Sequence, residues 1–155
     1  MSQSLSKILV HIIFSTKDRF PFLADSDTRS QMHAYMATVF KEYDSPCLLV
    51  GGVADHVHTL CFLSRNYAIS EIIKKAKQNS SKWIKTNGGI YTKFHWQKGY
   101  GGFSMSQSQV AQVKNYILNQ TNHHRRVTFQ DEFRKFLKRY EVPYNERYVW
   151  VEWSW

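Results

Sequence analysis

The sequence predicts an α+β domain of the ferredoxin-like, split β-α-β type: a four-stranded antiparallel sheet with helices on one face, plus C-terminal helices. Three observations carry this reading. Apolar, β-branched runs alternate with stretches of helical periodicity in the order β-α-β-β-α-β. Glycine and polar clusters separate these segments. The 155 residues are 43% hydrophobic and show no repeat, linker or low-complexity tract, so residues 1–155 read as a single domain with its own core.

Taken in order, "KILVHIIFST" (7–16) is β-branched and bounded by polar residues, as a buried strand requires. In "DSDTRSQMHAYMATVFKEYDS" Asp25 or Ser26 can cap a helix, and Met32, Met36, Val39 and Phe40 fall at helical spacing. "PCLLV" (46–50) is a short strand, and Gly51-Gly52 is expected to turn the chain into a hairpin with "DHVHTLCFL" (55–63). In "AISEIIKKAKQNSSKWIKTNGG" the apolar stripe is Ile69, Ile72, Ile73, Ala76, Trp83 and Ile84, and Gly88-Gly89 ends the helix. "FHWQKGYGGFSM" reads as an aromatic strand with a glycine-marked bend. "SQSQVAQVKNYILNQTNHH" is a helix opened by a Ser106/Gln109 capping box, and "FQDEFRKFLKRY" is a last amphipathic segment before an aromatic tail.

Composition points to a polyanionic partner. Lys and Arg number 21 against 12 Asp and Glu, a net charge of +9. The 24 aromatic residues add π surfaces on which unstacked bases can sit, although most will serve the core. Cys47 and Cys61 lie at or within apolar runs and read as small buried hydrophobes of a reducing compartment. The apolar run at residues 8–14, interrupted by His11, is too short for a signal or membrane segment, so a cytoplasmic protein without membrane contact is expected.

Two short patterns carry chemistry. His56-Val57-His58 lies on a strand, where residues two apart share a face, so both imidazoles point together and Val57 points into the core. Spacing alone supports a metal-binding pair and a pair of ordinary sheet-surface histidines equally. Tyr116 and Gln120 lie four apart on a helix, at one edge of a stripe formed by Val110, Val113 and Ile117. A tyrosine there is half-buried with an accessible hydroxyl, as a nucleophile needs.

Together these patterns resemble the HUH-endonuclease transposases with a single catalytic tyrosine, the insertion-sequence-200 type, including relatives associated with repetitive extragenic palindromes (REP). The resemblance runs from "HIIFSTKDR" through "DHVHTL", "KKAKQNSSKWI" and "FHWQKGYGGFSMS" to "VKNYILNQTNHHRRVTFQDEF". It implies metal ligands His56, His58 and Gln120 and the nucleophile Tyr116. It further implies metal-dependent cleavage and rejoining of single-stranded DNA near a hairpin through a 5′-phosphotyrosine intermediate, and a protein often dimeric, sometimes sharing its sites between subunits. Such a protein would meet its DNA at the nucleoid. Two imidazoles and one amide oxygen leave positions open for phosphate and water and suit Mg²⁺ or Mn²⁺, with the imidazoles favouring Mn²⁺. The alternative is a non-catalytic single-stranded nucleic-acid binder on the same scaffold.

Candidate phosphate contacts are Lys17, Arg19, Lys74, Lys75, Lys77, Lys82, Lys85, Arg125 and Arg126, although for any single lysine a solvated helix face is the better reading. Asp55 could orient a ligand imidazole, or serve as a turn residue. His123 and His124 are expected to favour a helix C-terminus rather than approach the site. His11 and His95 read as core or sheet residues. Trp150, Trp153 and Trp155 are expected to pack or dimerise rather than bind bases.

Overall fold

The computed structural model describes residues 2–150; the tail residues Trp153 and Trp155 lie outside them. Four strands form one antiparallel sheet in the order β2-β3-β1-β4: β1 Leu9–Ser15, β2 Cys47–Gly52, β3 His56–Phe62 and β4 Gly101–Met105. The two central strands are buried almost throughout, including the polar residues His11, His56, His58 and Thr59 among their apolar ones.

Side-chain alternation divides the sheet into two faces. Val10, Ile12, Phe14, Val57 and Cys61 face one core, under α1 (Ser26–Glu42) and α2 (Ile69–Lys85). Asp25 caps α1 by accepting from the Thr28 amide at 2.9 Å. The α1 residues Met32, Met36, Val39 and Phe40 are all buried, as their spacing predicts. Ile13 and Phe103 face the opposite core, closed by Phe129, Phe133 and Leu137 of α5 (Phe129–Arg139). His58 pairs directly with Ile13, and His56 with Ser15, so both histidines belong to this second layer. The C-terminal helices therefore roof the histidine face.

Three local expectations need correction. Gly51 and Gly52 do not turn the chain: they are the end of β2, paired with His58 and Val57, and the hairpin loop is residues 53–55. The Tyr116 helix is not continuous. A Ser106 amide to Gln109 Oε1 bond of 2.9 Å opens a 3₁₀ turn leading into α3 (Val110–Leu118). The chain then bends at Asn119 and resumes as α4 (Gln120–His123). The aromatic segment before β4 is not a strand: it meets the end of β1 through a Trp96 bridge to Thr16 and the Gln97 amide, which donates to the Ser15 carbonyl at 2.9 Å, and His95 is exposed rather than core.

Gly51 explains how α3 reaches the sheet. A Cβ there would stand 2.6 Å from Ile117 Cγ2, well inside van der Waals contact. Because Gly51 sits beside His58 in register, the missing side chain lets α3 settle next to the histidine pair. Gly51→Ala is expected to push Ile117 outward and cost about 1–3 kcal/mol, read as a fall in melting temperature.

Candidate active site and metal centre

The histidine pair is fully buried, not exposed on a sheet surface. Each imidazole is held at one nitrogen and aimed with the other. Asp55 accepts from His56 Nδ1 at 2.7 Å, which turns His56 Nε2 inward. His58 Nδ1 lies 2.8 Å from His11 Nε2, and when Nδ1 donates, the lone pair of His58 Nε2 faces the interior. Asp55 and His11 thus orient the two rings. Burial, and then the neighbouring His58, hold His11 down at about 3, so it stays neutral.

Tyr116 and Gln120 meet the pair from above. Gln120 Oε1 lies 3.1 Å from His56 Nε2, and Gln120 itself is 1% exposed. The Tyr116 ring centroid lies 5.8 Å from that of His58. All four residues come from one chain. The bend at Asn119 keeps them close: Gln120 Nε2 still reaches the Tyr116 carbonyl at 3.4 Å.

The structure adds Glu132, which sequence reasoning passed over, and His123 and His124, which it had assigned to a helix end. Glu132 of α5 is 1% exposed and sits in the middle of the cluster. Its Oε1 lies 3.0 Å from His58 Nε2 and 3.3 Å from His56 Nε2. Its Oε2 accepts from the Tyr116 hydroxyl and, at 3.2 Å, from Gln120 Nε2. His123 and His124 each place Nε2 3.1 Å from the same oxygen, so both do enter the site. A signal for Glu132 existed: it falls on the same helical stripe as Phe129, Phe133 and Phe136, an acid where an apolar residue is expected.

The donor set fits a cation. The donor atoms of His56, His58, His124 and Glu132 lie within 4.8 Å of one another. Nδ1 of His56 donates to Asp55, and Nδ1 of His124 donates to the Val127 carbonyl at 2.6 Å. Their Nε2 atoms then both face acceptors: Gln120 Oε1, 3.1 and 2.8 Å away, and the Glu132 carboxylate. Lone pairs pointed at acceptors require added protons or a metal ion among them. In the ion-free chain a proton on His56 serves. Burial disfavours charge on His56, but its bonds to Asp55 and Glu132 prevail and raise it to about 9. Burial also opposes the Glu132 charge, yet the bonds from His124, His56 and His58 hold its carboxyl well below the usual range. Burial, and then Glu132, push the Tyr116 hydroxyl well above its ordinary value, so without an ion it is a quiet nucleophile.

The predicted cations divide by location. Lys74, Lys75, Lys82 and Lys85 ride on α2, on the far side of the sheet from the histidines. Lys77 is committed to the fold, its Nζ donating to the Gln97 carbonyl at 2.8 Å and the Gly99 carbonyl at 2.5 Å. Lys17 and Arg19 follow β1 near Asp55, whose carbonyl accepts from the Thr16 amide. Trp150 packs against Phe133 and beneath the guanidinium groups of Arg19 and Arg134. Arg125 and Arg126 border a groove of about 450 Å³ with Asn119, Asn122, His123 and Val127. A second cleft of about 160 Å³ opens on Tyr116 and is lined by His123, Glu132, Lys135, Phe136 and Arg139.

A strand-borne histidine pair met by tyrosine and glutamine from the successive helices α3 and α4, on a ferredoxin-like sheet, matches the pattern of the HUH class of single-tyrosine transposases. Comparison with known proteins agrees. The family model described as "Transposase IS200 like" matches residues 4–120, and the chain belongs to that family, whose members are enzymes acting on DNA. A protein of Deinococcus radiodurans R1 assigned as a transposase shares the fold, with a TM-score of 0.60 and 20% identity. That match covers 77% of this chain and 98% of the other. A REP-associated tyrosine transposase, solved bound to a REP hairpin, matches with a TM-score of 0.59 and 13% identity. It covers 99% of this chain and 96% of the other. A search of curated proteins gave no match. Among the described residues, no helix is long and apolar enough to cross a membrane.

Proposed function

We propose that this transposase cleaves and rejoins single-stranded DNA beside a hairpin, through a covalent link to Tyr116. The observation that carries the reading is the convergence, within one chain, of the Tyr116 hydroxyl with His56, His58 and Gln120 around a site suited to a cation. The hairpin bound by the REP-associated neighbour supports the substrate class. Tyr116 attacks the phosphorus of a phosphodiester, the bond to O3′ breaks, and a 5′-phosphotyrosine and a free 3′-hydroxyl result. The link keeps the phosphodiester energy, so a later 3′-hydroxyl can reverse the step and rejoin strands.

His56, His58 and Gln120 would hold the metal, Mg²⁺ or Mn²⁺ by donor type. A bound divalent ion polarises the phosphate and offsets the charge that develops on it. The chain's own groups prepare the rest. Asp55 and His11 fix the ligand rings, and α3 sets Tyr116 beside them. Lys135 and Arg139 line the Tyr116 cleft, Arg125 and Arg126 line the groove that shares His123 with it, and all four favour an incoming phosphate backbone. The site is complete within one chain, so the dimer suggested by the family resemblance is not needed to assemble it. Mixing a Tyr116→Phe chain with a His58→Ala chain is therefore expected to leave activity at background; restored activity would show sites shared between subunits.

The test is a denaturing gel of the protein incubated with Mn²⁺ and labelled single-stranded hairpins carrying flanking sequence. A covalent protein–DNA band supports the reading. Binding to every hairpin without such a band would leave a nucleic-acid binder instead. The raised His56 value also sets a pH dependence. Below about 9 the ion-free chain carries a proton on His56 that an entering cation must displace. Mn²⁺ affinity is expected to rise with pH, by roughly tenfold per unit between pH 6 and 8, with proton release visible by calorimetry in buffers of different ionisation enthalpy.

A further inference from the structure

Glu132 lies beyond the stretch matched by the family model, which ends at Gln120, yet it touches every member of the site. We propose that Glu132 is the carboxylate ligand of this chain's cation site and, through its second oxygen, the residue that positions Tyr116 against that site. The inference rests on the metal-dependent reading above.

The two oxygens have separate surroundings. Oε1 faces the paired imidazoles, 3.0 Å from His58 Nε2 and 3.3 Å from His56 Nε2. Oε2 faces the helix that carries the nucleophile, accepting from the Tyr116 hydroxyl and from Gln120 Nε2. A carboxylate placed in this way bridges: one oxygen joins the histidine ligands while the other fixes the hydroxyl that reacts. Two histidines, an amide oxygen and a carboxylate oxygen form a harder, more anionic set than the first three alone, better matched to Mg²⁺ or Mn²⁺. Burial reinforces the argument, because a carboxylate at 1% exposure is retained only where cationic or donor groups surround it. Phe129, Phe133 and Leu137 on either side of Glu132 anchor α5 in the second core.

The experiment uses the full chain and Mn²⁺ alone as probe, with free Mn²⁺ followed by electron paramagnetic resonance. Wild type, Glu132→Gln and His58→Ala are compared, and circular dichroism checks the fold of each. Glu132→Gln is expected to bind Mn²⁺ at least tenfold more weakly. At saturating Mn²⁺ it is also expected to form the covalent DNA adduct at least tenfold more slowly, since the hydroxyl is no longer held by a carboxylate. Equal or tighter Mn²⁺ binding would overturn the proposal, showing that Glu132 only fills the space of the ion. An unchanged adduct rate at saturating Mn²⁺ would overturn its positioning role. If binding survives His58→Ala as well, the metal reading itself fails, a result distinguishable from failure at Glu132 alone. Should Glu132→Gln not fold, the infrared difference spectrum of wild type labelled with ¹³C-carboxylate glutamate decides. A glutamate band that shifts on Mn²⁺ addition supports the ligand role, and an unchanged spectrum refutes it.

Discussion

Tyr116→Phe is expected to reduce covalent adduct formation by at least about a thousandfold, because it removes the attacking oxygen and no neighbour can replace it. Tyr91, Tyr140 and Tyr144 pack against the two hydrophobic cores and are not among the cluster's partners. The ring itself stays, and with it the edge contacts to His58, at 5.8 Å, and Phe136, also at 5.8 Å. Affinity for hairpin DNA and for Mn²⁺ should therefore change by no more than about twofold, and the lost hydrogen bond to Glu132 should shift stability by about 1 kcal/mol. The contrast between lost chemistry and retained binding is the signature to measure. Parallel loss of adduct and of DNA binding would mean that Tyr116 holds DNA rather than attacks it.

His58→Ala should act at the other half of the site. Removing a ligand costs more than the 10–100-fold typical of removing a ligand's own hydrogen-bond partner, so Mn²⁺ affinity is expected to fall by more than about a hundredfold. The adduct should disappear with it. His11→Ala offers the graded comparison: His11 only orients His58, across 2.8 Å, and its loss is expected to weaken Mn²⁺ by about 10–100-fold. The His58 variant also leaves His11 Nε2 without its partner and removes the closer of the two imidazoles at Glu132 Oε1, which should destabilise the ion-free chain by about 1–3 kcal/mol. Titration calorimetry and a thermal melt separate the two effects. Equal Mn²⁺ affinities in wild type and His58→Ala would remove the histidine pair from the site.

The sequence made the architecture and the first four candidate site residues legible for the same reason: both depend on local period. Strand alternation put His56 and His58 on one side, and helical spacing put Tyr116 near Gln120. What it hid depends on which elements meet across the sheet. Nothing local in "LVHIIF" says that His11 will face His58, a relation fixed by the register of β1 against β3. His123 and His124 looked like helix-end residues; the bend at Asn119 and the packing of α5 bring them to Glu132. Gly51 looked like a turn residue because Gly-Gly often is one, but here it clears space for Ile117. Lys77 looked like a phosphate contact, and the chain uses it to tie α2 to the loop before β4. Glu132 was the residue most open to earlier detection, as an acid within the apolar stripe of an amphipathic helix.

The most direct test is to digest the covalent protein–DNA complex with protease and locate the modified residue by mass spectrometry. The account predicts a 5′-phosphorylated nucleotide on the peptide containing Tyr116, formed only when Mn²⁺ or Mg²⁺ is supplied. A modified peptide lacking Tyr116, or an adduct formed equally well in a chelator, would contradict it.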